Sequence, residues 1–112
     1  MELPINYDEA SSQTRKEARL QYIELQNNLC MYCGTNIHEK PYNLKTKRKV
    51  DWDNFPPNFL QYPIHLQHNH NTGLTEGAIH SLCNAISWQY DENKDITKSM
   101  SIGSAISKLF GH

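Results

Sequence analysis

The sequence predicts a small α+β domain closed by a metal staple. Its expected parts are an N-terminal helix, a cysteine knuckle, a long irregular insertion, a two-stranded hairpin, a short helix and a helical tail. Three observations carry this expectation. Cys30 and Cys33 stand two residues apart. A second pair with the same spacing, His80 and Cys83, stands far downstream. Between the pairs lies an alternating stretch, 63–80, that holds four of the six histidines: His65, His68, His70 and His80.

A chain of 112 residues fits one domain. Only 38% of it is hydrophobic, and several of those residues are Tyr and Ala. So polar a chain gains from a structural metal or a partner subunit. Three cysteines are an odd count, which argues against a plain disulfide framework. The first seven residues carry neither a basic leader nor an apolar run. No apolar run approaches the ~20 residues that cross a bilayer. A cytoplasmic protein with reduced thiols is expected, where Cys-x-x-Cys points to metal or redox chemistry. The net charge of −1 is not that of a strongly basic nucleic-acid binder. Positive charge is nonetheless clustered at Lys45, Lys47, Arg48 and Lys49, and again at Arg15, Lys16 and Arg19.

Residues 1–7 read as an extended lead-in, with Pro4 against helix. A helix is expected over 8–28 with Asp8 as its N-cap. Ala18, Tyr22, Leu25 and Leu29 fall on one helical face, widened by Ile23. Gly34 suits the turn that closes the Cys30–Cys33 knuckle. Residues 35–63 show no sustained period and contain Pro41, Pro56, Pro57 and Pro63. They form an irregular insertion with short strands expected around 49–53, ordered by aromatic residues packing on the metal core. The hairpin spans 63–80, turning at Asn71, Thr72 and Gly73. Ile64, Leu66 and His68 alternate with His65, Gln67 and Asn69 while the strand stays regular. Gly77 in the return strand signals a bulge or a close backbone approach. A helix is expected over 84–91, and a helical tail over 99–110. The apolar face of that tail needs cover from the first helix or from a second copy in a homodimer.

Zinc favours four tetrahedral ligands, often thiolate and imidazole, and two residues separated by two can grip one ion from a single knuckle. Cys30, Cys33, His80 and Cys83 make a Cys₃His set that uses every cysteine. Two alternatives stand beside it. One is a redox Cys-x-x-Cys with Cys83 buried as a small hydrophobe, although such motifs expect a strand before and a helix after. The other is a different fourth ligand, leaving His80 free for chemistry.

Phosphodiester hydrolysis needs a base for the attacking water, charge to neutralise the phosphate and stabilisation of the leaving oxygen. A strand histidine, a nearby divalent ion and an asparagine can supply these. The runs Gln67-His68-Asn69-His70-Asn71-Thr72-Gly73 and His80-Ser81-Leu82-Cys83-Asn84 follow that pattern, preceded by Gln26 and the Cys30–Cys33 knuckle. Over residues 15–91 the chain resembles the HNH, or ββα-metal, endonucleases, and among them the phage recombination endonuclease VII type. The resemblance implies a metal-dependent DNA endonuclease of phage or mobile-element origin. It implies that His68 is the general base, Asn84 a ligand of the catalytic ion, and His70 a holder of phosphate or metal. It implies that Cys30, Cys33, His80 and Cys83 bind structural zinc, His80 standing where the family more often has Cys.

One position departs from that pattern. The family's metal-binding Asp falls on Gln67, and a neutral amide is a poorer ligand for a hard cation. Gln67 or His65 then substitutes, the ion is softer than Mg²⁺ (Mn²⁺, Ni²⁺ or Zn²⁺), or catalysis is weakened. Asp51 and Asp53 are further carboxylates in the insertion. The other reading is a non-catalytic zinc module that contacts DNA or a protein.

Overall fold

The computed structural model describes residues 1–42 and 48–92. The fold is α+β, with two α-helices and one two-stranded antiparallel sheet among the described residues. The first helix, α1, is Ser12–Leu25, shorter than the expected 8–28 at both ends. Ser11, not Asp8, is the N-cap, and its hydroxyl accepts the Thr14 N–H at 3.1 Å. Asp8 lies in a preceding turn, where Asn6 takes the N–H groups of Glu9 and Ala10. The helix stops because Asn27 and Asn28 adopt left-handed backbone, φ 56° and 63°.

The apolar stripe is also rotated from the expected one. Ala18 and Ile23 are buried and Tyr22 half-buried, but Leu25 and Leu29 are exposed. The ridge that meets the sheet runs 18, 22, 26, and its last member is polar. Gln26 works as a substitute strand: its Oε1 accepts the Ala78 N–H at 2.8 Å and its Nε2 donates to the Ala78 carbonyl at 3.0 Å. The side-chain amide so satisfies the Ala78 N–H at the sheet edge, while the Ala78 carbonyl also accepts the Met31 N–H at 3.1 Å.

The hairpin pairs β1, Ile64–His68, with β2, Thr75–His80. Ile64 faces His80 and Gln67 faces Gly77, but His68 faces Thr75, so the register shifts and Glu76 is the extra residue of a bulge. Regular alternation along β1 therefore ends at Gln67. In the turn the Asn69 side chain accepts the N–H groups of Asn71 and Thr72, and Gly73 takes φ 79°. The N-terminal lead-in lies along the far end of β2. Ile5 and Thr75 exchange hydrogen bonds at 3.0 Å, and Tyr7 N–H reaches Gly73 O at 2.8 Å.

The second helix, α2, is Ser81–Ile86, and a π-helical turn, Ser87–Glu92, extends it. It begins three residues before the expected 84–91 because His80 already holds the N-cap position, which puts Cys83 inside the first turn. In the insertion the expected strand near 49–53 is replaced by a 3₁₀ turn at Trp52–Asn54, where Asp51 accepts the Asp53 N–H at 3.1 Å. As expected, aromatic residues order this region, though they do so on α2. Phe55 is buried with Ala85 and Trp88, its ring 5.2 Å from that of Trp88. The second buried cluster joins Ile23, Ile37, Ala78 and Ile79 to Cys30 and Cys83. The tail over 99–110, with any homodimer it serves, and the basic residues Lys45 and Lys47 lie outside the described residues. Among the described residues no helix is long and apolar enough to cross a membrane.

Gly77 shows the close approach its place in a strand suggested. A Cβ there would meet Gln26 Oε1 at 2.7 Å and Met31 Sδ at 2.9 Å. The Gln26 oxygen cannot retreat without giving up Ala78 N–H. Gly77→Ala should therefore destabilise the fold by about 1–3 kcal/mol, the usual cost of overpacking, read as a lower urea midpoint. An unchanged midpoint would show that the edge is loose.

Candidate metal centre and histidine cleft

The two half-sites meet. Ligand atoms of Cys30, Cys33, His80 and Cys83 all lie within 4.8 Å of one another. Cys33 Sγ is 3.4 Å and Cys83 Sγ 3.6 Å from His80 Nδ1. A tetrahedron with Zn–S near 2.3 Å and Zn–N near 2.0 Å has S···N edges of about 3.6 Å, so the four residues fit a structural zinc site. The back of the imidazole is fixed as a zinc ligand requires. His80 Nε2 lies 3.0 Å from Asn36 O and 2.8 Å from Glu39 O. A proton on Nε2 shared with these carbonyls leaves Nδ1 bare for the cation.

The sulfurs are prepared as well. Tyr32 N–H and His80 N–H each donate to Cys30 Sγ at 3.4 Å, and Thr35 Oγ1 is 3.1 Å from Cys33 Sγ. The contact with Cys83 holds the Cys30 thiol well below its usual range, opposed by burial and helped by backbone N–H groups. The same contact, with burial and the nearby sulfur charges, pushes Cys83 up. Two close thiolates share a proton unless a cation stands between them, which is the charge balance Zn²⁺ supplies. The arrangement fits the zinc set better than either alternative: Cys83 lies beside the other two thiols and His80 belongs to the same cluster.

The other candidate residues gather in a cleft of about 480 Å³ beside β1. His65, Gln67, His68, His70 and Asn84 all line it. Asn84 reaches it because it follows Cys83 on α2, so the metal cluster and the cleft are successive residues of one helical turn. Asn84 Nδ2 is 3.1 Å from His65 Nδ1. The Phe59 ring packs edge-on against the same imidazole at 4.8 Å, and the His65 pKa is lowered chiefly by burial and also by the Arg19 charge. Gln67 is buried, its amide 3.3 Å from His68 O and 3.5 Å from Glu76 Oε1. The His68 and His70 rings meet edge to face at 4.7 Å.

Tyr7 is the residue sequence reasoning passed over. Its ring stacks on His68 at 4.0 Å, nearly parallel, and Arg15 covers its other face at 3.9 Å. Nothing in the local pattern marked it, because the lead-in reaches the cleft only through its pairing with β2. Burial above all, then the His70 and Arg15 charges, brings His68 down to about 4 against the pull of Asp8. Burial likewise lowers His70. Asp51 and Asp53 stay exposed and do not line the cleft, and no carboxylate is among its lining residues. The chain matches no protein-family model, no curated protein and no solved structure.

Replacing one ligand tests the metal centre. Structural zinc contributes on the order of 10 kcal/mol to folding in small domains. Purified protein should carry one zinc per chain, and Cys83→Ser should lose both the zinc and the cooperative thermal transition. A Cys83→Ser protein that keeps its zinc and its transition would remove Cys83 from the ligand set.

Proposed function

We propose that the chain is a metal-dependent endonuclease that hydrolyses DNA phosphodiesters in the histidine cleft. The observation that carries this reading is the single cleft in which His68, His70, Asn84, His65 and Gln67 stand together with Arg15 and Arg19. The HNH-like pattern of the sequence supports the same roles. The zinc half-sites hold the scaffold, and the chemistry belongs to the cleft.

His68 acts as the general base. Its low pKa keeps it neutral across the physiological range, free to take the proton of water as the oxygen attacks phosphorus and the bond to the leaving oxygen breaks. The Tyr7 stack holds its ring in place. Asn84 and His65, with Gln67 beside them, would hold the divalent cation, and the Phe59 ring packs against the His65 imidazole. A cation there supplies charge for the phosphate and the leaving oxygen. Imidazole and amide donors with no carboxylate suit Ni²⁺ or Zn²⁺ better than Mg²⁺, with Mn²⁺ between them. That same lack of a carboxylate favours the second reading, a cleft that binds nucleic acid without cutting it.

Supercoiled plasmid incubated with Mg²⁺, Mn²⁺ or Ni²⁺ separates the two. Nicking or linearisation should be weakest with Mg²⁺, and His68→Ala should reduce it by at least ~10²-fold with zinc content intact. Cleavage that survives His68→Ala would remove His68 as the base. Binding without cleavage under every ion would leave the second reading.

The pH dependence has a definite sign. The neutral imidazole is the active form, so kcat/KM should hold as pH falls until it passes the free-protein value of about 4. A bound phosphodiester adds negative charge and raises that pKa, so the acid limb of kcat should lie at higher pH than that of kcat/KM. An acid limb of kcat/KM near 6.5, the ordinary histidine value, would show that His68 is not buried as described.

A further inference from the structure

A chain of net charge −1 carries a cleft wall with two arginines and no acid. Arg15 and Arg19 stand one helical turn apart on α1 and both line the cleft, while Lys16 between them is exposed and does not. Arg15 is held in place: its Nε donates to Tyr7 O at 2.8 Å, and its guanidinium carbon lies 3.9 Å from the centre of the Tyr7 ring. That hydrogen bond uses Nε and leaves both Nη groups for a ligand. Among the described residues no carboxylate pairs with either arginine. Two half-buried arginines without a carboxylate partner leave donors that an anion can satisfy. Tyr62, 67% exposed, lines the same cleft and offers a ring face on which a base can stack.

We propose that Arg15 and Arg19 form an anion site on the α1 wall of the cleft, which seats a phosphodiester of a nucleic-acid strand while Tyr62 stacks a base of that strand. The proposal deepens the nuclease reading by assigning the residues that position the strand. Arginine suits the role because its planar fork grips two phosphate oxygens at once. The three-layer stack of Arg15, Tyr7 and His68 ties this seat to the histidines.

The test is the salt dependence of strand binding by the zinc-loaded protein with no other divalent ion added. A fluorescein-labelled single-stranded oligonucleotide is followed by anisotropy. Each phosphate contact with a single strand contributes ~0.7 to the slope of log Kd against log salt. Arg19→Gln should lower the slope by about 0.7, and Arg15→Gln with Arg19→Gln by about twice that. Lys16→Gln, which removes the same charge outside the cleft, should change it far less. Tyr62→Ala should weaken binding without changing the slope. Each variant is checked for one zinc per chain.

An unchanged slope in Arg19→Gln, an equal loss in Lys16→Gln, or no binding by the wild type would overturn the site. So would inorganic phosphate that displaces the strand as well as unlabelled strand does. A lowered slope in a protein that cuts no plasmid would uphold the site and remove the nuclease. An unchanged slope in an active nuclease would do the reverse.

Discussion

Four ligand atoms from two distant segments share one small space, and that constraint organises the molecule. His80 is its pivot. It ends β2, takes the N-cap position of α2 and turns Nδ1 into the cluster while its Nε2 faces two carbonyls of the insertion. The direction in which α2 leaves the sheet is set there. Cys83 enters the cluster from the first turn of α2, and Asn84, its neighbour, reaches the cleft. A cation that holds Cys83 therefore also holds the position of Asn84. Gln26 supplies the matching constraint on the other side, fastening α1 to the edge of β2 at Ala78.

What was legible in the sequence was spacing. Two pairs with a two-residue separation implied a common site, and the ligand atoms converge. Alternation from Ile64 and turn residues at Asn71 to Gly73 implied a hairpin, and the strands pair antiparallel. Less legible was anything set by tertiary contact. Leu25 and Leu29 fit a helical face but are exposed, because the two positive-φ asparagines end the helix and Gln26 takes the place an apolar residue would fill. Asp8 looked like a cap, yet Ser11 caps, since Asn6 closes a turn first. Tyr7 had no local signal. Its role depends on an isolated bridge between Asn6 and Leu74, sixty-eight positions apart in the numbering.

The cleft is an electrostatic exception to the chain that holds it. Overall charge is close to balanced, and acidic residues outnumber basic ones by one. Yet the wall formed by α1 and β1 gathers arginines and histidines with no acid among them. Burial and mutual repulsion lower the pKa of His68, and burial lowers that of His65 and His70. The cleft thus stores imidazoles in their neutral, proton-accepting form beside fixed positive charge.

The two half-sites also divide the chain into parts with different freedom to diverge. Between Cys33 and His80 lies a closed loop, 47 positions from one ligand to the other. Closing a longer loop is cheap: doubling its length costs only about 0.6 kcal/mol of entropy. Descendants of this sequence can therefore lengthen or trim the insertion and still bring the same four side chains together. The two-residue spacers inside each half-site have no such latitude, since one added residue would turn a ligand away from its partners. Length variation should collect in the insertion, and the spacers should stay at two.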